Sequence, residues 1–335
     1  FGAFMIYHVR GWCISGRIDE RLINPVLHFT YYGFDWIRPW SGDLMYLHFY
    51  VMAGLATAMT IGLFYRVSAV LFCFAYWYAW LIDVTEYINH YYLCGLIAFL
   101  MIFLPAHRSF SLDALIRPAR RSYEMPTWAL WLLRAQLGIP YFYGGIAKLN
   151  YDWLHGQPTR LWMARKSELP LFGSVVTEVW FVWLVTYGGL IFDLLIVPAL
   201  LWRKTRLLAY GVSILFHLSN AQLFSIGIFP WLMVASTLLF FDPGWPRRIL
   251  RRPLLTEHAP NIGQQLSKRQ LLVVMCLGLY LSIQLLVPLR HFVYRNNNPS
   301  WSEVGHKFAW HMMLRSKRGA ARFYVTDPES GHTGV

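Results

Sequence analysis

The feature that most constrains this chain is a series of long apolar runs separated by short segments that carry arginine and lysine. Apolar runs of about 17–25 residues are long enough to cross a bilayer as helices. We identify candidate spans at about 1–11, 44–64, 67–86, 89–106, 127–148, 173–202, 207–223, 226–241 and 270–289. The first is too short to span, so we expect the sequence to begin inside its first helix. The pattern predicts an all-α, polytopic membrane bundle of about nine spans.

Composition supports the membrane class. Only 14% of the residues are charged and 56% are hydrophobic, whereas soluble domains average about 25% charged residues. The formal charge of +13 comes mainly from clusters between apolar runs, so it reflects topology and no nucleic-acid partner is expected. The four cysteines form no CxxC pair, so neither a disulfide framework nor a metal site is predicted.

Loop charges predict the orientation. Lysine and arginine concentrate in alternate loops, which the positive-inside rule places in the cytoplasm. Two outer segments, 28–40 and 150–162, interleave aromatic residues with arginine and proline, which is typical of interfacial helices. An odd number of spans puts the C-terminal tail outside. We therefore divide the chain into a transmembrane catalytic domain, 1–290, and an extracytoplasmic tail, 291–335, which would begin a C-terminal domain.

Ionisable groups at membrane depth are expensive and therefore candidates for function. Lys148 ends the fifth apolar run in YFYGGIAKLNYDW, where Gly144 and Gly145 would let a neighbouring helix approach closely. Lys148 either snorkels to the interface or is kept dry enough for its free amine to act as a base. Arg134 lies on the same helix face, two heptads earlier. An arginine so deep needs an acidic partner, which Asp193 or Asp83 could supply, and we expect a structural ion pair between Arg134 and Asp193.

Two further polar clusters lie at the same outer level as Lys148. One cluster, at the start of the run 89–106, consists of Tyr87, Asn89 and His90. The other, at the end of the run 207–223, consists of His217, Asn220 and Gln222. Either histidine could simply bond a neighbouring backbone, and the pair could also clamp a haem, although positions near helix ends disfavour a membrane-centre haem. Convergence of three distant segments on one side predicts a site beneath the aromatic outer segments.

At these residues the chain resembles the vitamin K-dependent gamma-carboxylase family and the related bacterial horizontally transferred transmembrane domain. The similar segments occur in order over about 43–318, and they are DLMYLHF, GLFYRVSAVLF, WLIDVTEYINHYYLCGLIAF, LRAQLGIPYFYGGIAKLNYDW, FHLSNAQLFSIGIF, DPGWPRRI and FAWHMMLRSK. Lys148 matches the catalytic lysine of the family, and His90 matches a functionally important histidine. His217 matches a family histidine of less certain role.

The resemblance implies an integral membrane enzyme that couples oxygenation of reduced vitamin K to its epoxide with carboxylation of glutamate. Lys148 and His90 would be catalytic, and the cofactor, phylloquinol or menaquinol, would contact Asn89, Tyr87, His217, Asn220 and Gln222. Oxygen and carbon dioxide would be co-substrates, and the partners would be the lipid bilayer and a glutamate-containing protein or peptide. We expect a bacterial inner-membrane location with the site facing the periplasm.

One region departs from the family pattern. Where the family has a tyrosine-rich stretch before its Trp-x-Met-Met, this chain has His306 and Phe308, followed by Trp310 and His311. Positioning of glutamate is therefore the part of the resemblance with the least support. The alternative functions are a quinone- or haem-linked membrane redox protein without carboxylation, and a non-catalytic membrane scaffold.

Overall fold

The computed structural model describes residues 1–168, 173–224, 226–251, 267–294, 299–312, 314, 322–331 and 333–334. These residues are mostly helical. The α-helices are α1 (Gly2–Ile14), α2 (Asp43–Ile61), α3 (Tyr65–Leu81), α4 (Asn89–Phe103), α5 (Leu112–Ile116), α6 (Thr127–Ala147), α7 (Tyr151–Leu154), α8 (Gln157–Ala164), α9 (Gly173–Val176), α10 (Val179–Leu201), α11 (Arg206–Leu223), α12 (Phe229–Thr237), α13 (Trp245–Ile249), α14 (Lys268–Leu286) and α15 (Pro299–Ser302). Near the end of the described chain, strands β1 (Val325–Thr326) and β2 (Thr333–Gly334) pair antiparallel.

Every predicted apolar run corresponds to a helix, namely α1 to α4, α6, α10 to α12 and α14. Among the described residues, α2, α10 and α14 with its 3-10 extension to Val293 are long and apolar enough to cross a membrane. Helix α4 and the segment Phe229–Phe240 are apolar but shorter. The protein is therefore a helical membrane protein, while the predicted number of nine spans is not confirmed.

The predicted close approach at the glycine pair is confirmed between α6 and α10. A Cβ atom placed on Gly145 would lie 2.6 Å from Cδ2 of Leu194. Such a distance requires a neighbour to move, so glycine allows the backbone of α6 to lie against α10. This contact brings the C-terminal end of α6 beside the middle of α10, where Asp193 is located.

The predicted pair between Arg134 and Asp193 is wrong. The Arg134 side chain donates from Nε to the Leu239 carbonyl at 2.8 Å and from Nη2 to the Phe241 carbonyl at 3.1 Å. The last carbonyls of a helical segment lack intrahelical partners, and Arg134 satisfies two of them after α12. Asp193 instead pairs with Lys148, which lies ~21 Å further along α6 at 1.5 Å per residue.

The two aromatic outer segments differ in structure. Residues 150–162 contain the short helix α7 and most of α8, so this segment is helical as expected. Residues 28–40 form no helix, and this part of the interfacial-helix prediction is wrong. Gly33 has a φ of 83°, a left-handed backbone conformation that a right-handed α-helix does not contain. The Val84 amide donates to the Phe29 carbonyl at 2.7 Å, which ties this irregular segment to the turn between α3 and α4.

Candidate active site

A cavity of about 210 Å³ lies where the predicted polar clusters meet. Its apolar wall consists of aliphatic and aromatic side chains with one glycine, namely Ile88, Pro140, Trp153, Trp162, Val185, Gly189, Phe216, Phe224, Ile226, Phe229, Met233 and Met312. Its polar lining consists of Asn89, His90, Tyr141, Lys148, Asp193, His217, Asn220 and His311. The cavity thus combines a largely apolar volume with a few converging polar groups, which is typical of a small-molecule site.

Lys148 is the cation of the cavity. It caps the C-terminal end of α6 and is 6% exposed. Its Nζ atom donates to Oδ2 of Asp193 at 2.5 Å and to the Gly144 carbonyl at 3.2 Å, and it lies 5.1 Å from the centre of the Trp153 ring. A carboxylate, a carbonyl at the negative end of a helix and an indole face all stabilise an ammonium group. The lysine is therefore held in a built site and does not snorkel to water.

Trp153 is fixed above the lysine by the segment that follows α6. Asn150 Oδ1 accepts a hydrogen bond from the Trp153 backbone amide at 3.0 Å and so caps α7. The Trp153 indole Nε1 donates to the Thr186 carbonyl of α10 at 3.0 Å. The ring thus covers Lys148, and Trp162 lines the same cavity.

His90 and Asn89 begin α4 and also line the cavity. The His90 ring lies 4.7 Å from the Tyr91 ring and 5.7 Å from the Phe229 ring, centre to centre. Within the described part of the chain no hydrogen bond involves its ring nitrogens. Asn89 also lines the cavity, but its amide is partly used: Oδ1 accepts from the Tyr87 hydroxyl at 2.9 Å and Nδ2 donates to the His311 carbonyl at 3.1 Å.

Tyr87 does not line the cavity, in contrast to the sequence-based expectation of direct cofactor contact. Its hydroxyl donates to Asn89 and accepts a hydrogen bond from the Phe308 amide at 2.6 Å. Burial raises the pKa of Tyr87, so the hydroxyl stays protonated and remains a donor. Tyr87 therefore acts on the site through Asn89.

His217 lies on α11 and is 1% exposed. Its Nε2 atom is 2.7 Å from the Tyr141 hydroxyl, while its buried Nδ1 atom has no hydrogen-bond partner among the described residues. A buried ring nitrogen without a partner costs free energy, and here it belongs to a residue that lines the cavity. His217 is therefore a cavity-lining residue with a ring nitrogen that no described residue satisfies.

Asn220 lines the cavity and Gln222 does not. Gln222 is exposed. Two residues along an α-helix are ~200° apart around its axis, so the two side chains cannot share a face of α11. The assignment of Gln222 to the cofactor site is not supported by its position.

A segment near the C-terminus completes the wall. Residues 307–312, called the strap here, contribute His311 and Met312 to the cavity. Besides its bonds to Tyr87 and Asn89, the strap is held by Arg290, whose guanidinium donates to the Lys307 carbonyl and lies 5.4 Å from the centre of the Phe308 ring. Met313 and residues 315–321, part of the last segment that carried the resemblance, lie outside the described residues.

The strap adopts an unusual backbone. Phe308 and Trp310 have φ values of 60° and 59°, in the left-handed region that aromatic residues rarely occupy. Such conformations persist where the surroundings enforce them, and they cluster at binding and catalytic sites. Sequence reasoning missed this contribution and that of Asp193, although the Trp-x-Met-Met pattern had drawn attention to the region.

The chain matches two known protein families. Residues 1–245 match the model of the HTTM domain. Residues 269–335 match the model of the vitamin K-dependent gamma-carboxylase lumenal domain. No solved structure matches the chain. The residues that line the cavity come from both matched regions, with His311 and Met312 in the second.

Proposed function

The chain belongs to the vitamin K-dependent gamma-carboxylase family, and from that premise we propose that it couples oxygenation of reduced vitamin K to its epoxide with carboxylation of a glutamate-containing protein or peptide. The observation that carries the proposal is the buried Lys148 amine in the lining of a cavity that His90 also lines. A scaffold protein has no need to bury a lysine beside an open volume.

The residues of the cavity fit the head group of reduced vitamin K. Flat aromatic and aliphatic side chains line most of the volume, and the rings of His217 and His90 supply polar groups that would bond the ring oxygens. Sites for drug-sized ligands measure ~300–1,000 Å³, so the 210 Å³ present here suits a bicyclic head.

The side chains have distinct roles in this proposal. When bound, reduced vitamin K reacts with oxygen and supplies the strong base that removes the glutamate γ-proton. The protein supplies the weaker base, Lys148, which takes the first proton from the hydroxyl of the quinol. His90 and the remaining amide hydrogen of Asn89 stabilise negative charge as it develops on oxygen. Trp153, Trp162 and the strap exclude water, which favours carbon dioxide over a proton as the electrophile.

The location follows from the same premise. The chain is a membrane protein, and we infer that it resides in a bacterial inner membrane with the cavity facing the periplasm. This orientation is supported by the excess of arginine and lysine in the loops at the end of the helices away from Lys148, including Arg117, Arg120 and Arg121 between α5 and α6. The division at residue 290 remains a prediction.

The proposal is tested by supplying the purified protein in lipid nanodiscs with reduced phylloquinone, oxygen, labelled carbon dioxide and a glutamate peptide. Wild type should form epoxide and fix carbon dioxide, and Lys148→Ala and His90→Ala should lose both. Lys204→Ala, at an exposed lysine after α10, is the matched control and should keep both. Equal epoxide yield from Lys148→Ala and wild type would remove the lysine as base. Epoxide without carbon dioxide fixation, or a haem absorption band, would favour the redox protein.

A further inference from the structure

The geometry points to Asp193 as the acceptor of a proton from Lys148. The Asp193 carboxylate would receive this proton as the lysine takes the proton of the quinol. This inference rests on the proposed function, because it concerns the same proton transfer. Asp193 acts through Lys148 and is therefore a positioning and proton-holding residue. From the sequence, Asp193 was expected only to pair structurally with Arg134, and the family match assigns it no role.

The contacts of the Asp193 carboxyl carry this inference. The side chain is buried, lines the cavity and lies on the wall that α10 shares with α6. Within the described residues, Lys148 is its only hydrogen-bond partner. A structural carboxylate in a protein interior normally accepts several hydrogen bonds, since burying a charge with few partners is costly. A carboxylate with one partner is poorly stabilised as an anion and is ready to accept a proton.

The surroundings of Gly144 show that the pair is held in one geometry. A Cβ atom at this position would lie 3.2 Å from Oδ2 of Asp193 and 3.1 Å from Cε of Met312. The absence of that atom leaves room for the carboxylate at 2.5 Å from the lysine nitrogen. Two groups at hydrogen-bond distance in a dry site can exchange a proton without reorganising solvent.

The proposed step balances without any additional reagent. In the resting pair Lys148 is an ammonium group and Asp193 a carboxylate, as the Trp153 ring and the Gly144 carbonyl favour. One N–H bond of Lys148 breaks as an O–H bond forms on Asp193, and the O–H bond of the quinol breaks as a new N–H bond forms on Lys148. The negative charge moves from the carboxylate to the quinol oxygen. The ammonium group is thereby regenerated next to the new anion and stabilises it.

The test replaces the carboxyl while keeping its shape. Asp193→Asn can still accept a hydrogen bond from Lys148 but cannot take its proton. We expect kcat for epoxide formation to fall ~10²-fold, within the usual range for loss of a proton-transfer group, with an unchanged KM for reduced phylloquinone. Asp193→Glu should recover part of the lost kcat. The matched control is Asp83→Asn, because Asp83 is a buried carboxyl paired with His28 at 3.3 Å and does not line the cavity.

A second readout does not depend on turnover. Binding of reduced phylloquinone under argon should produce, in the infrared difference spectrum, the C=O stretch of a protonated carboxylic acid. That band should be absent from Asp193→Asn, shifted in Asp193→Glu and unchanged in Asp83→Asn. Absence of the band from wild type, or kcat of Asp193→Asn equal to wild type, would overturn the role of Asp193 alone. A wild type that forms no epoxide would instead contradict the proposed function, and this inference with it.

Discussion

The Nζ atom of Lys148 lies 2.5 Å from the Oδ2 atom of Asp193, and the two side chains come from different helices, the end of α6 and the middle of α10. Both are nearly buried, at 6% and 5% exposure. Desolvation of two buried charges offsets much of their attraction, so removing one partner costs more than removing both. The pair therefore has separable effects on stability and on chemistry.

Replacing one or both members of the pair should distinguish these effects. Lys148→Met leaves a buried carboxyl without its partner, and we expect the free energy of unfolding to fall by ~3–5 kcal/mol. Lys148→Met/Asp193→Leu should regain most of that loss, while neither variant forms epoxide. Thermal unfolding of the detergent-solubilised proteins measures the stability. Equal destabilisation of the single and double variants would contradict the buried ion pair.

Much of the helical architecture could be predicted from hydropathy, because each apolar run is a helix in the structure. The convergence of Asn89, His90, Lys148, His217 and Asn220 was predicted from their common level at helix ends, and the structure places all of them around one cavity. Their chemical roles remain predictions. The predicted number of nine spans is not confirmed, because among the described residues several apolar helices are short relative to the bilayer.

The partner of Lys148 could not be predicted because helical periodicity defines a face and not an axial alignment. Arg134 and Lys148 share one face of α6, and only the packing of Gly145 against Leu194 determines which of them lies level with Asp193. The exclusion of Gln222 was accessible from periodicity alone. The left-handed backbone of the strap was not, because nothing in the local sequence favours that conformation at Phe308 or Trp310.

A double-mutant cycle should confirm that Arg134 is independent of Asp193. Arg134→Leu removes the donors to the Leu239 and Phe241 carbonyls. Because the donor is charged, we expect each lost hydrogen bond to lower the free energy of unfolding by at most ~1.5–3 kcal/mol. The effects of Arg134→Leu and Asp193→Asn on the free energy of unfolding should add within ~0.5 kcal/mol, as for distant sites. The cycle between Lys148→Met and Asp193→Leu provides the contrast, since it should be strongly non-additive. Comparable coupling in the two cycles would contradict the assignment.

Adding one methyl group should distinguish the tight fit around Asp193 from the overall stability of the protein. Gly144→Ala forces Asp193 or Met312 to move by a few tenths of an ångström. We expect about a tenfold loss of kcat, less than the ~10²-fold that a 1 Å misplacement costs. Gly188→Ala in α10 is the matched control, because its Cβ would meet nothing within 4 Å. It should keep full activity and gain ~0.5–1 kcal/mol from its helix propensity. Steady-state kinetics and thermal unfolding test both variants, and full activity in Gly144→Ala would contradict the tight fit.

Tyr87→Phe should loosen the strap without substituting any residue that lines the cavity. The substitution removes the donor to Asn89 and the acceptor of the Phe308 amide, so both polar groups lose that partner in a buried region. At ~0.5–1.5 kcal/mol for each hydrogen bond, we expect faster hydrogen exchange at the Phe308 amide and a higher KM for reduced phylloquinone. Tyr78→Phe is the control, because its hydroxyl donates to the Arg38 carbonyl at 2.6 Å and Tyr78 does not line the cavity. If Tyr87→Phe, like the control, leaves hydrogen exchange and KM unchanged, Tyr87 does not hold the strap. The contacts of Arg290 would then be sufficient to hold it.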